Sequence, residues 1–547
     1  MNIVHEFLND NNVIKVAIRA DASNRIGTGH VMRCLTLATT LKTYGIQVIF
    51  LSKNHSGNLN DFIRAQGFEL FALSAPKQQV EDQTNDKLWL GCNYQDDVNE
   101  CVDALSNTKI DMLIVDHYSL NYQWQSLIKT KLKQSALIKL MVIDDLANRK
   151  HDCDLLLDQT LGREILDYKE LIPNHCHLLL GSHYIMLRDE FVINRQAAKN
   201  KRSQYSKDSE NKTNILISMG GTDTDNISEK LLNWLITYKQ VNNKIYATVI
   251  ANQTSPYLTN LTAIRDQHSW ISIIKNPDSM AKLMLDADIA IGSSGSTAWE
   301  RCCLGLPSLS IISASNQVFL NENLTKTGAI INLGHFSALT YEKLEKPLSK
   351  LINDKNEYKT LVKNSLLCCD GLGRNRVTNI LLANVHQNVF LKEASFNDCQ
   401  TMFDWQSNSD VRKYSHNPEP VEWENHCDWL KSTLADKGKH LYIITAKIPE
   451  HEGLHSIGIL RLDNLASLNN SIYENHAAWR ISILVAPEYQ GKKFGEKAIA
   501  KIPKNFIEQG IIAEVHSDNM ASHRLFLKAG FSNISPVAYC LKSKEIK

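Results

Sequence analysis

His30 is the first residue of the chain whose type and setting could do chemistry. It lies in the run Arg19-Ala-Asp21-Ala-Ser-Asn-Arg25-Ile-Gly27-Thr-Gly29-His30-Val-Met-Arg33-Cys-Leu. Val13–Ala20 is a short apolar run suited to a buried parallel strand, and Val31, Leu35, Ala38 and Leu41 recur at helical spacing after the glycines. The pattern predicts a strand, a glycine turn and a helix, with His30 at or near the helix N-terminus. Gly27 and Gly29 would let the backbone approach a ligand, and free N–H groups at the helix start favour anions such as a diphosphate. The same partial positive charge favours a neutral imidazole able to accept a proton. A lone histidine after a glycine turn is more often a helix-start hydrogen-bonder than a catalyst, so the rest of the chain must decide.

A second constellation follows in the middle of the sequence. Gly292-Ser-Ser294-Gly295-Ser296-Thr297 can form a nest of backbone amides at a helix start, a cradle for a pyrophosphate leaving group. Glu300, one helical turn later, could accept hydrogen bonds from vicinal ribose hydroxyls, although a glutamate in a first turn needs no ligand. Asp116-His117-Tyr118, Asp144-Asp145 and Asp158-Gln159 end apolar runs, and ligands of open α/β sheets bind beyond the carboxyl ends of strands. Asp116, His117 and Asp145 are weaker choices, because orienting His30 or capping strands would explain them equally well.

The elements that must position these residues are legible as alternating runs. Strand-like segments at Val13–Ala20, 47–52, 110–116, 137–143, 155–158 and 177–181 alternate with helical stretches, the signature of parallel βα units. Residues 199–212 are rich in Lys and Ser and predict a solvated connector. A second α/β series follows, with strands at 214–218, 246–250, 271–274, 289–291 and 308–312. The division expected is a Rossmann-like domain over 13–198, a linker over 199–212, a nucleotide-binding Rossmann-like domain over 213–386 and a third unit over 389–547. In the third unit a strand, a Trp-rich stretch and further strands lead to a glycine turn at 490–495 and a helix near 521–529.

Composition narrows the classes. The 547 residues carry a net charge of +1, so neither a nucleic-acid track nor a basic membrane face is indicated. The 12 Cys show no metal-finger spacing and suit reduced thiols. The polar first residues are unlike a signal peptide and no long apolar run occurs, so a cytoplasmic location is expected. Oligomeric state is not legible.

Family resemblance sharpens this reading. GSSGSTAWERCCLGLPSLSI with Asn316-Gln317 looks like the nucleotide-binding half of GT-B glycosyltransferases. The opening IRADASNRIGTGHVMRC, the DHY at 116–118, IDDLANRKHDCDLLLDQ over 143–159 and ISMGGTD over 217–223 together resemble the pseudaminic acid pathway hydrolase, across roughly 13–384. The resemblance implies an α/β GT-B fold and hydrolysis of UDP-2,4-diacetamido-2,4,6-trideoxy-β-L-altropyranose to the free sugar and UDP. It places His30 as general base, with Gly27 and Gly29 shaping its loop. Glu300 falls where the fold holds the ribose, and Asn316 where the family touches substrate. Amides at Gly220–Gly221 and Ser293–Ser296, including Ser294 and Gly295, would stabilise the departing diphosphate. No DxD-like motif is evident, so a metal-free mechanism is expected.

Residues 481–498, with Gln490, Gly491 and Gly495, resemble the acetyl-CoA motif of the GNAT superfamily, and Asn519 through Phe531 its following helix and turn. Acetyl-CoA is therefore the expected cosubstrate, with Gln490, Gly491, Gly495 and Asn519 as binding residues. Two departures stand out: Lys493 occupies the position of the middle glycine, and Phe526 that of the tyrosine that often serves as general acid. Tyr539 is one replacement. The two resemblances together imply consecutive steps, N-acetylation of the C4 amine of a UDP-amino sugar and hydrolysis of the product. The alternatives are a true GT-B glycosyltransferase and a hydrolase carrying a noncatalytic GNAT-like module.

Overall fold

Parallel strands with both faces covered need long apolar runs, and the N-terminal half supplies them. Strands β1 (Lys15–Ala20), β2 (Gln47–Lys53), β4 (Met112–Asp116), β5 (Lys139–Ile143) and β6 (Leu155–Asp158) are almost entirely buried. With β3 (Glu69–Leu73) and β7 (His177–Leu180) at the edges they form a seven-stranded parallel sheet of order β3-β2-β1-β4-β5-β6-β7. The order reverses at β1, between β2 and β4, so the crevice beyond that point is the topological place for a ligand. Helix α1 (Gly29–Thr43) leaves β1 through the glycine turn, with Val31, Ala38 and Leu41 fully buried.

The computed structural model describes residues 13–76, 86–132, 138–205, 212–220, 223, 225–242, 244–253, 255–384, 388–415, 419–448, 451, 453–468 and 477–542. Helix α2 (Asp189–Ser203) runs into the predicted connector, so residues 199–203 are helical rather than extended. The reason is Arg202, fully buried, which donates to the carbonyls of Met284 (2.8 Å) and Gly305 (2.9 Å) at the ends of two helices of the second half. That half repeats the parallel plan. Strands β8 (Thr213–Ser218), β9 (Ile245–Ala251), β10 (Ile271–Lys275), β11 (Ile289–Ser293), β12 (Ser308–Ile312) and β13 (Ile331–His335) have the order β10-β9-β8-β11-β12-β13. Both Rossmann-like halves belong to one compact unit, residues 15–39 with 48–377. They meet beyond their strand ends, where Asn323 Nδ2 donates to the Leu161 carbonyl (3.0 Å) and the Arg163 guanidinium covers the Phe319 ring at 4.7 Å.

A second unit gathers residues 40–47 with 378–547. Its sheet is mixed: β14 (Val389–Glu393), β15 (Lys439–Lys447), β16 (Leu454–Asn464) and β17 (Trp479–Val485) are antiparallel neighbours. β17 then pairs in parallel with β18 (Ile511–Glu514), and β20 (Ala538–Leu541) and β19 (Ser532–Ser535) close the sheet. Its core joins Trp479, Ile481, Phe494, Phe526 and Tyr539. Among the described residues no helix is long and apolar enough to cross a membrane.

Candidate active site and cofactor loops

The helix that follows β1 delivers His30 to the end of β4. Ser23 shapes the intervening loop: its hydroxyl accepts from the amides of Arg25 (3.1 Å) and Ile26 (2.9 Å), and its carbonyl from Gly27 (2.9 Å). Gly27 takes φ +77°, a backbone most side chains resist. Gly29 opens α1 at ordinary φ, and an added methyl there would meet nothing within 4 Å, so no close approach requires a glycine.

His30 Nδ1 lies 2.6 Å from Asp116 Oδ1, with Asp116 fully buried. Burial alone would raise this carboxyl, but Arg33 and His30 hold it well below the ordinary carboxylate range. An ionised carboxylate only accepts hydrogen bonds, so Nδ1 carries a proton, and the neutral tautomer this selects has Nε2 as its acceptor. Arg33 donates to Asp116 through Nε (2.6 Å) and Nη2 (2.7 Å) and to Asp145 through Nη1 (2.6 Å). Tyr118 packs edge-on against the His30 ring at 4.5 Å and donates to Asp145 (2.9 Å). Of the two readings the sequence left for Asp116, orienting His30 or capping a strand, the 2.6 Å contact is the first. Arg33, one turn along α1, was visible in the sequence, but its partners lie over eighty residues away.

The other strand-end residues are committed to the fold. Asp144 accepts from Tyr168 (2.8 Å) and the Ala147 amide (2.9 Å) and forms an ion pair with Arg149 (2.8 Å). Asp158 accepts from Arg163 (2.5 Å) and the Thr160 amide (2.8 Å) and lies 2.8 Å from the same Tyr168 oxygen; burial and nearby Asp145 push it up to about 6 against the pull of Arg163. His117 points to Asp21 (3.3 Å), which also receives Arg19 (2.6 Å). Arg19 in turn reaches Asp97 (2.9 Å), forming a fully buried ionic platform under the β1 turn.

In the second half, pairing of β8 with β11 sets their carboxyl ends side by side, Gly292 opposite Ser218. A methyl on Gly292 would collide with the Ser218 carbonyl at 2.5 Å and Arg301 Nη1 at 2.7 Å. Gly220 follows at φ +92°, near Ser293 Oγ, while Gly221 lies outside the described residues. Ser294 departs from the expected amide cradle. Its hydroxyl pairs with Ser310 (2.6 Å) and Asn321, and its amide donates to Ile311 (3.2 Å), because this buried turn must satisfy its polar groups internally. Gly295 and Ser296 follow, before the seven-residue helix α3 (Thr297–Cys303). Glu300 Oε1 lies 3.4 Å from Arg188, whereas buried Oε2 has no partner, and burial raises this carboxyl. Asn316 is exposed in the turn after β12, beside Gln317, whose Nε2 is 3.8 Å from where a Gly295 methyl would sit. Among the described residues no group of three His, Cys, Asp or Glu is arranged to hold a metal.

In the second unit, Gln490 donates to the Val485 carbonyl (2.9 Å) and Gly491 takes φ +76°. Lys493, where a glycine is expected, adopts φ +62° at the cap of helix α4 (Phe494–Ile499), a conformation costing roughly 1–2 kcal/mol for a side-chain-bearing residue. Gly495 is buried, and a methyl there would sit 3.1 Å from Leu525 Cδ1, so a larger residue would press on helix α5 (Met520–Lys528). Asn519 uses its carbonyl oxygen as the cap of α5, accepting from the Ser522 amide (3.0 Å), and is thereby spent on the helix. Phe526 is buried, with its ring 6.3 Å from that of Tyr539; the Tyr539 hydroxyl lies 2.6 Å from His523 Nδ1.

The described residues build two Rossmann-like halves and a third unit with a mixed sheet, and residues 388–532 match the model of the acetyltransferase (GNAT) domain. The N-terminal part is homologous to UDP-2,4-diacetamido-2,4,6-trideoxy-beta-L-altropyranose hydrolase of Campylobacter jejuni, 28% identical over 315 residues, 58% of this chain and 97% of that protein. Uncharacterized protein MJ1062 of Methanocaldococcus jannaschii is 25% identical over 527 residues, covering 95% of this chain and 96% of its own length. Spore coat polysaccharide biosynthesis protein SpsG of Bacillus subtilis is 23% identical, covering 47% of this chain and 83% of its own. Acinetobacter baumannii MurG superposes with a TM-score of 0.49 at 16% identity, over 68% of this chain and 99% of that one.

Proposed function

We propose that the chain is bifunctional, hydrolysing UDP-2,4-diacetamido-2,4,6-trideoxy-β-L-altropyranose to the free sugar and UDP, and N-acetylating the C4 amine of the preceding UDP-amino sugar. The observation that carries the first half is the His30–Asp116 pair, 2.6 Å apart at the switch point of the first sheet, with Asp116 held ionised. Homology to a named hydrolase supports the substrate class.

In this reading Nε2 of His30 takes a proton from a water that attacks the anomeric carbon. The C–O bond to the diphosphate breaks, its electron pair leaves with UDP, and the imidazolium is stabilised by Asp116. Gly220, Gly295 and Ser296 offer backbone to the leaving diphosphate, and the unpartnered Glu300 Oε2 accepts from ribose. Arg33 and Tyr118 hold the base rather than act on the sugar.

The residues of the second unit fit acetyl-CoA: the left-handed Gly491 and Lys493 turn amides outward at the start of α4, with Lys492 and Lys493 exposed beside them. The bound cosubstrate supplies an activated acetyl thioester. Gly491 and Lys493 orient it, and Tyr539, bonded to His523, supplies the proton that Phe526 cannot. Product analysis by mass spectrometry tests the hydrolase half: free diacetamido sugar and UDP are expected without any acceptor, and an absolute need for an acceptor sugar would move the reading to glycosyl transfer.

A further inference from the structure

Arg301 shares with Arg202 a buried setting without a counter-ion, but where Arg202 ties two helix ends together, Arg301 lies under the turn at the end of β11. Its side chain is 1% exposed in α3, beneath the turn that joins β11 to that helix. Nη2 donates to the Ser293 carbonyl (2.7 Å) and Nη1 to the Thr297 hydroxyl (3.3 Å), while Nε has no partner. Unlike Arg19 and Arg33, which each grip two carboxylates, it forms no ion pair among the described residues; Glu300, next in sequence, turns Oε1 to Arg188 instead. Burial without a counter-ion brings its guanidinium down to about 10, still charged at neutral pH. A buried cation left unpaired is costly, and such a cost is offset when an anion binds next to it.

We infer that Arg301 is a positioning residue for a diphosphate: its uncompensated charge lies directly under the Gly292–Thr297 turn, and the anionic ligand completes the pair. Gly292 shows how closely the two are fitted, since a methyl there would sit 2.7 Å from Arg301 Nη1. Arg301 acts through the turn, holding the Ser293 carbonyl back and the Thr297 hydroxyl in place, so that the turn presents amides rather than carbonyls outward. The inference rests on the reading of this turn as the diphosphate site.

The test is calorimetric titration of the full chain with UDP and with uridine, paired with the thermal midpoint of the ligand-free protein. Arg301→Met should weaken UDP about tenfold or more, leave uridine within about twofold, and leave the ligand-free midpoint unchanged or higher, because an unpaired buried charge has been removed. Arg301→Lys, which keeps the charge, should hold UDP affinity within a few-fold. A Met variant that keeps the full preference for UDP over uridine overturns the inference, as does parallel loss of both affinities with a lowered midpoint in both variants. Failure of the underlying site reading looks different: the unmodified chain would itself bind UDP no more tightly than uridine.

Discussion

Asp116→Asn is the perturbation with the sharpest expected signature. The carboxylate accepts from His30 Nδ1 (2.6 Å), Arg33 Nε (2.6 Å), Arg33 Nη2 (2.7 Å) and the Cys34 thiol (3.5 Å), filling both oxygens. An asparagine of the same shape must place its NH2 on one side. Facing Arg33 Nε, it opposes donor to donor. Facing His30, it donates to Nδ1, moves the imidazole proton to Nε2 and removes the base. There the NH2 also meets Arg33 Nη2, so each arrangement sets one Arg33 donor against it, and the one facing His30 is the one that removes the base. Loss of the correct tautomer in a buried Asp–His pair is worth about 10^3–10^4 in kcat, or about 4–5 kcal/mol of barrier. Arg33 keeps Asp145, so the stability loss should be about 3 kcal/mol, at the low end for a broken buried pair. The assay is release of UDP from the diacetamido UDP-sugar, with UDP affinity measured separately and expected to stay within about threefold. A folded Asn variant with kcat within a few-fold of the unmodified chain would refute the reasoning. A variant losing UDP affinity as steeply as kcat would make Asp116 purely structural.

The same buried carboxylates set an acid limit on stability. Burial raises Asp21, Asp97, Asp116 and Asp144, yet their cationic and hydrogen-bonding partners hold all four below the ordinary value. A lowered folded-state pKa contributes stability above the unfolded value, near pH 4, that is lost as pH falls below it. The thermal midpoint of the two-Rossmann unit should therefore hold or rise slightly from pH 7 to about 5, where Asp158, pushed up to about 6, takes up its proton in the folded state, and drop steeply below about 4; a flat profile to pH 3 would contradict the ionic platform. In the acetyltransferase unit, Tyr539→Phe should cut acetyl transfer about 10^2-fold with acetyl-CoA affinity unchanged, read by thiol release and by calorimetry. An undiminished rate would remove Tyr539 from proton transfer.

Much of the fold was legible because central parallel strands are largely apolar runs, as in Met112–Asp116 and Lys139–Ile143. Of the strands that left no clear signal, β3, β13 and β19 are edges and β20 lies one in from an edge. β3 and β13 each lie at the end of a sheet, half exposed, and β13 contains Gly334 at φ +87°. β19 and β20 end the third sheet and are only four residues each. At the site, the glycine turn announced His30, and the end of β4 announced Asp116 as one of several strand-end acids. What separated Asp116 from Asp144 and Asp158 was pairing at long range: Arg33 and His30 reach the first, whereas Tyr168 binds both others. Arg301 was hidden for the opposite reason, since a lone arginine in a short helix shows its missing counter-ion only when its surroundings are known. Ser294 and Asn519 have residue types that suit ligands equally well, and the fold uses them to satisfy its own backbone.

The most direct measurement is mass spectrometry of the full chain incubated with the UDP-4-amino-4,6-dideoxy sugar, with and without acetyl-CoA. The account predicts free diacetamido sugar and UDP only when acetyl-CoA is present, because the second unit must make the substrate of the first. Unchanged amino sugar in both reactions would contradict it.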